Sequence, residues 1–283
     1  YVHTVIHKGH MRELDDYQRS FEQRGYSQLT ALPDKSSLFN YICSDAYIGG
    51  LYDSGSGHLH PLKYLIGLAK AATKAGAHIY TNSPISSIQT TKHTNKLITE
   101  NGLTISAEQL IICGNVYLGS VAPKKLQGRI APVTSSVMAT EPLSVSEIED
   151  TIPSKAAIAD GNTALNYFRI DKQNRLIFGG RASYLNTDPL NVEVDLKNRM
   201  KAVFPNLMHK KIMQAWSGRI GITVNRIPDF GRVSDTAIYV QGYSGHGVAF
   251  SGVAANILSE AVAGNKKRFN QLIKVPHMPF PGG

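Results

Sequence analysis

The 283-residue sequence is short of several features, and each shortage narrows what the chain can be. It has two cysteines, Cys43 and Cys113, with neither a Cys-x-x-Cys pair nor metal-ligand spacing. That argues against a disulfide framework and fits a reducing, cytoplasmic setting. No stretch reaches the ~18 uninterrupted apolar residues of a membrane-spanning helix, so no membrane partner is expected. The opening Tyr1-Val2-His3-Thr4-Val5-Ile6-His7-Lys8 lacks a signal-peptide plan and reads as a strand entered partway through. Repeats and low-complexity linkers are missing too, which suggests two interleaved domains rather than two beads on a string. Acidic residues number 21 against 30 basic ones, a formal charge of +9. The basic residues are scattered, with small groups at Lys124-Lys125, Lys210-Lys211 and Lys266-Lys267-Arg268. A solvated surface is therefore expected, not a nucleic-acid footprint, although the field suits an anionic ligand.

What is present is a regular alternation of helix and strand signals. Met11 to Gly25 is helix-compatible, and Tyr47 to Tyr52 reads as a strand. From Pro61 to Ala75, Leu62, Leu65, Ile66, Leu68, Ala69 and Ala72 recur at helical spacing between an N-terminal proline and the stop Gly76. Short strands are predicted at 77–80, 85–89, 97–99, 103–105 and 109–113, with Asn101-Gly102 as a hairpin signal. Further β patterns run over 129–140, 165–170, 176–178, 212–216 and 220–224, and Val192 to Val203 reads as a polar helix.

The richest stretch is Gly242-Tyr243-Ser244-Gly245-His246-Gly247, between the strand pattern 237–241 and the helical run 248–258. A glycine turn there permits positive φ and aims free N–H groups and a helix dipole at one point. Three other patterns need weighing. Gly55-Ser56-Gly57 lies between strand and helix, but His60 replaces the third small residue and no ribose acid follows, so it reads as an ordinary turn into a helix and not as a pyrophosphate site. His58 and His60 could be a metal pair, without obvious further ligands. Ser244 could be a nucleophile at an elbow, but His246 stands where the elbow needs glycine.

Taken together, Gly242 to Gly247, Trp216-Ser217-Gly218 and Arg226-Ile227-Pro228-Asp229-Phe230-Gly231-Arg232 resemble the C-terminal half of the D-amino acid oxidase superfamily of FAD-dependent oxidoreductases. Gly49-Gly50-Leu51-Tyr52, Ser56 to Pro61, Tyr117-Leu118-Gly119 and Pro276 to Gly283 resemble, more narrowly, its γ-glutamylputrescine oxidoreductase-type members. The resemblance implies an α/β and α+β fold. In it a partial FAD/NAD(P)-binding-like domain, lacking its N-terminal Rossmann βαβ, interleaves with an antiparallel-sheet substrate domain. The expected bounds are 1–45 and 129–225 for the substrate domain, 46–128 and 226–265 for the remainder of the FAD-binding domain, and 266–283 for a tail.

The resemblance also implies oxidation of a C–N bond in an amine or amino acid by hydride transfer to FAD, followed by imine hydrolysis, as in polyamine catabolism. Cofactor contacts would come from Ile85, Cys113, Gly114, Tyr243, Ser244, Gly245, His246, Gly247 and Val248. Tyr167, Arg169 and Trp216 would line the substrate pocket, with His246 and Tyr167 in catalytic positions; core burial of Tyr167 and Trp216 is the competing reading. No metal is implied. FAD should be non-covalent, because neither cysteine lies where monomeric sarcosine oxidases attach it. Glycine oxidases clamp the substrate carboxylate with an arginine at the place of Ile220; Arg219 lies one residue away, on the other face of a strand. That points to an amine without an α-carboxylate at the reacting carbon. The family's nucleotide-binding N-terminal segment is expected to be missing, so the chain alone should bind FAD poorly and could dimerise through exposed edges. The rival reading is a non-catalytic remnant acting as a binding or assembly module.

Overall fold

The computed structural model of the chain describes residues 1–162, 165–183 and 190–280. They form two compact units: unit 1 is Tyr1–Leu59 with Thr134–Gly218, and unit 2 is His60–Val133 with Arg219–Gly283. Residues 1–59 supply β1 (Val2–Val5), α1 (Lys8–Glu22), β2 (Leu29–Leu32), α2 (Lys35–Leu38) and β3 (Gly49–Asp53). Then come α3 (Pro61–Lys74), β4 (Ile85–Thr90), β5 (Asn95–Thr99), β6 (Thr104–Ala107) and β7 (Leu110–Ile112). The next elements are β8 (Ala131–Pro142), α4 (Val145–Glu149), β9 (Ile158–Asp160), β10 (Tyr167–Ile170), β11 (Arg175–Ser183), α5 (Val192–Val203) and β12 (Ile212–Ile222). The chain closes with β13 (Asp229–Arg232), β14 (Ala237–Gln241), α6 (Gly247–Val262) and α7 (Lys267–Leu272).

In unit 1 the strands follow the order β12-β8-β11-β10-β9-β1-β3-β2. Pairing is antiparallel from β8 to β9, parallel between β9 and β1, and antiparallel again through β3 to β2. Strand alternation puts Phe168 and Ile170 of β10 into the core and Tyr167 and Arg169 on the other face. Phe168 stacks on Phe178 at 5.3 Å and meets Phe204 edge-on at 5.2 Å. Helix α5 closes this core by burying Leu196, Met200 and Val203. The carboxylate of the fully buried Asp160 is satisfied by Asn162, Asn166 and Tyr47, which donate to it over 2.7–3.2 Å. Helix α4 starts with a capping box, in which Ser144 accepts from the Glu147 N–H and Glu147 accepts from the Ser144 N–H.

In unit 2, β7 runs parallel to β14, which pairs antiparallel with β13. A second sheet, β4-β5-β6, turns from β5 to β6 through Asn101-Gly102, with Gly102 at φ +84°. The apolar face of α6 and Phe269 of α7 pack with Phe230, Ile238 and Val240 of β13 and β14. Beneath lies a buried ion pair: Arg129 donates to Asp229 from Nε at 2.8 Å and from Nη2 at 3.0 Å, and Gln241 Nε2 adds a third bond at 3.1 Å. Helix α3 differs from its neighbours. It begins with Pro61 under a His60 cap but buries none of its residues.

Several expectations are corrected. Residues 77–80 form no strand: Gly76 (φ +94°) ends the helix, and Ile79 and Tyr80 run exposed without a ladder. The two predicted strands 212–216 and 220–224 are one, β12, which runs unbroken through Ser217-Gly218 and ends at Ile222. Residues 46–59 lie in unit 1 with residues 1–45, not in unit 2 with residues 60–128, since β3 pairs with β1 and β2. Residues 266–280 are no tail: Phe269 is fully buried in unit 2, with the Arg232 guanidinium 4.8 Å above its ring. Of the closing motif, Pro281-Gly282-Gly283 lies outside the described residues.

Candidate functional site

The turn between β14 and α6 is built by backbone freedom and a side-chain brace. Gly242 (φ +72°), Ser244 (φ +51°) and Gly245 (φ +97°) all adopt left-handed conformations. The Gly242 N–H donates to Asn115 Oδ1 at 3.0 Å, and the Ser244 N–H to the Gly221 carbonyl at 2.9 Å. A Cβ on Gly221 would lie 2.3 Å from Asn115 Oδ1, so glycine there lets the brace close. Ser244 Oγ is used locally: it donates to the Gly242 carbonyl at 3.2 Å and accepts from the Thr223 N–H at 3.3 Å. It is a turn-forming hydroxyl with no nucleophilic geometry. Among the described residues no side chain caps α6, so its first N–H groups are free to point at a ligand. Gly245, His246 and Val248 are exposed around that end, and a Cβ at Gly245 would meet open space. Burial and the nearby Cys113 thiol push the Tyr243 phenol up to about 12.

A second part of unit 2 gathers the other expected cofactor residues. Ile85, Cys113 and Gly114 line one cleft of about 510 Å³, together with Ile88, Leu97 and Tyr117. Ile85 opens β4, and Cys113 and Gly114 follow the end of β7, so the strand ends carry them there. Cys113 and Gly114 thus follow a strand C-terminus, the usual ligand edge of α/β sheets, while Ile85 enters from the start of its strand.

Unit 1 holds the expected substrate residues on the sheet face turned away from its core. Tyr167 lies across β11: its ring covers Gly179, where a Cβ would sit 2.1 Å from the ring, and its hydroxyl meets Ser135 Oγ of β8 at 2.8 Å. Burial raises the Tyr167 phenol above its ordinary range, against the Ser135 hydrogen bond, so the hydroxyl stays protonated at neutral pH. Ser217 of β12 bonds Ser136 on the core side, and alternation therefore puts Trp216 on the face of Tyr167. Trp216 is 47% exposed, which rules out the reading as a core aromatic. Arg169 shares that face, and its Nη1 lies 3.1 Å from Nδ1 of His58.

His58 and His60, whose spacing left a metal pair open as a minor alternative, have separate partners. His58 Nε2 meets the Lys155 carbonyl at 3.2 Å, whereas His60 accepts from the Lys63 N–H at the start of α3. The pattern Gly55-Ser56-Gly57 is an ordinary turn, because Asp53 takes the Gly55 N–H at 3.0 Å and the Ser56 hydroxyl at 2.5 Å. Burial pushes the Asp53 carboxyl up, but hydrogen bonds from Ser56, Tyr26 and Gly55 outweigh it and hold the group below its ordinary range. The roles that spacing did not single out are Asn115 as the brace of the turn and His58 as the partner of Arg169. Both act through partners more than a hundred residues away, so no local pattern marks them.

Unit 2 thus holds a strand-turn-helix junction and a cleft at strand ends, and unit 1 a mostly antiparallel sheet, in a mixed α/β fold. Residues 3–261 match the family model for FAD dependent oxidoreductases (DAO), and the chain belongs to that family. It is 35% identical over 271 residues to gamma-glutamylputrescine oxidoreductase of Escherichia coli (strain K12), and 36% identical to the probable oxidoreductase OrdL of Haemophilus influenzae. The alignments cover 95% and 98% of this chain but 63% and 64% of those relatives. Glycine oxidase from Geobacillus kaustophilus has the same fold, with a TM-score of 0.78 at 17% identity over 99% of this chain and 72% of that one. The residues present fit FAD. The uncapped α6 supplies donors, and the open space at Gly245 admits a flat ligand edge.

Proposed function

We propose that the protein forms the flavin-edge and substrate parts of an enzyme that oxidises a C–N bond of a γ-glutamylputrescine-like amine. The single observation carrying this reading is the braced turn Gly242–Gly247, with its three left-handed residues and uncapped helix. When bound, FAD supplies the hydride acceptor that turns the amine into an imine, which water then hydrolyses to an aldehyde. Tyr243 to Val248 would hold the flavin edge, where a helix N-terminus favours negative charge. Ile85, Cys113 and Gly114 would line the rest of a non-covalent site. Tyr167 donates a hydrogen bond and does not act as a base, since its phenol is raised. Trp216 offers an aromatic face to a cationic or flat amine, and His246 would stand beside the flavin. The identity to the E. coli enzyme supports the substrate class.

The test is spectroscopic. FAD added to the protein should shift and sharpen its long-wavelength absorption, and Gly245→Val should abolish that change. Anaerobic γ-glutamylputrescine should then bleach the band, while glycine should not. An unchanged flavin spectrum would remove catalysis by this chain, and bleaching by glycine alone would remove the substrate assignment.

One observation favours a second reading, a binding or assembly module. Leu62, Leu65 and Leu68 of α3 are 59%, 61% and 50% exposed, and exposed apolar patches mark interaction surfaces. A second copy of the chain would bury them in a homodimer. Sedimentation velocity should then give a dimer that Leu65→Glu dissociates; a monomer at every concentration would remove this reading.

A further inference from the structure

We infer that Arg169, held in place by His58, binds a carboxylate at the end of the substrate remote from the C–N bond. This rests on the proposed reading that unit 1 receives the amine. The starting point is a cation that has no carboxylate hydrogen-bonded to it among the described residues, although the charge of Asp171 acts on it from nearby. Arg169 is half-buried, and among the described residues its hydrogen-bond partner is an imidazole nitrogen, not a carboxylate. The nearest acid in sequence, Asp171, is already committed. It accepts from Arg175 Nε at 2.9 Å and from the N–H groups of Gln173 and Arg175 at 2.8 and 2.9 Å.

The His58 contacts fix its chemistry. Nε2 faces a carbonyl, which only accepts, so that nitrogen carries the hydrogen. Nδ1 is then the lone-pair nitrogen and accepts from Arg169 Nη1. Burial, followed by the Arg169 charge, holds the imidazole below its ordinary range, so it adds no competing positive charge at neutral pH. One guanidinium N–H is tethered, and a fork of donors remains for a planar oxyanion. Arg169 lies on the sheet face that carries Tyr167 and Trp216, where β10 turns it away from the core.

The ligand chemistry follows. A γ-glutamyl amide of a diamine has a primary amine at one end and an α-amino-carboxylate at the other. A free diamine has no carboxylate, and a simple α-amino acid carries its carboxylate on the reacting carbon. Arg169 would select the first class by reading the far end. His58 is a positioning residue for Arg169, not a catalytic one.

The test uses the whole chain and three probes. Isothermal titration compares γ-glutamylputrescine with its analogue lacking only the α-carboxylate. Arg169→Met should weaken the first about 10- to 100-fold, as expected for a lost charge-assisted bidentate contact, and leave the second within about twofold. His58→Ala should weaken the first several-fold, and His58→Asn, whose Oδ1 can replace Nδ1 as acceptor, should restore most of the loss. Equal losses for both ligands in Arg169→Met would overturn the inference and leave the amine reading standing. The third probe is glutarate, followed through the His58 imidazole signals by NMR. Glutarate should move them in the wild type and not in Arg169→Met. If glutarate moves them but neither amine binds, the carboxylate site stands and the amine reading falls; if it does not move them, the inference falls.

Discussion

Helices α5 and α3 make an instructive pair. Helix α5 has the more polar sequence, yet it buries Leu196, Met200 and Val203 against the unit-1 core. Helix α3 has the stronger apolar stripe, yet it buries no residue. Periodicity therefore reports which face a helix offers, not whether anything accepts it. In unit 1 a large sheet supplies the accepting surface. In unit 2, with its small sheet β13-β14-β7, α3's stripe stays exposed among the described residues.

The largest expected effect tests whether unit 2 is nevertheless well founded. Asp229→Ala strands Arg129 and Gln241 around a buried site and should cost about 3–5 kcal/mol in urea unfolding. A loss below about 1 kcal/mol would show that water already reaches the pair. Next, Leu196→Ala on α5 should cost about 2–5 kcal/mol as a core truncation. A third expectation concerns pH. Burial pushes the Glu147 carboxyl up, but bonds from Lys210 and Ser144 dominate and hold it at about 2. A depressed folded value means stability present above the unfolded value and lost as pH falls through the folded one. About 2–3 kcal/mol should disappear between roughly pH 4.5 and pH 2. Glu147→Gln should flatten that part of the curve, and an unaltered profile would reject the assignment. The smallest effect is the sharpest for the comparison. Leu65→Ala on α3 should change stability by less than about 0.5 kcal/mol, because the side chain is already in water. A loss near that of Leu196 would mean that α3 is covered in solution.

Helix α5 was legible residue for residue, since its polar-apolar pattern runs from Val192 to Val203 and the helix does too. The turn after β14 was equally plain, because three positive-φ positions require the glycine-rich sequence seen there. Strands β2 and β9 and helices α2 and α4 were not legible. Each spans three to five residues, too few for a period, and tertiary pairing or caps define them. The face shared by Tyr167, Arg169 and Trp216 could be guessed from the family resemblance. The Arg169–His58 contact could not, since it joins β10 to a loop 111 residues away. The Gly55-Ser56-Gly57 pattern was legible as an ordinary turn from the His60 that breaks its glycine spacing, and the carboxylate of Asp53 takes the Gly55 N–H that a phosphate would need.

The ring of Tyr167 resting on Gly179 has one more consequence. A methyl group at residue 179 would occupy the space of the ring itself, so Gly179→Ala acts as a lever on a distant hydroxyl. The tyrosine would have to swing off β11, its contact with Ser135 would part, and the sheet face it shares with Arg169 and Trp216 would change shape. One glycine of β11 thus sets where the tyrosine of β10 lies.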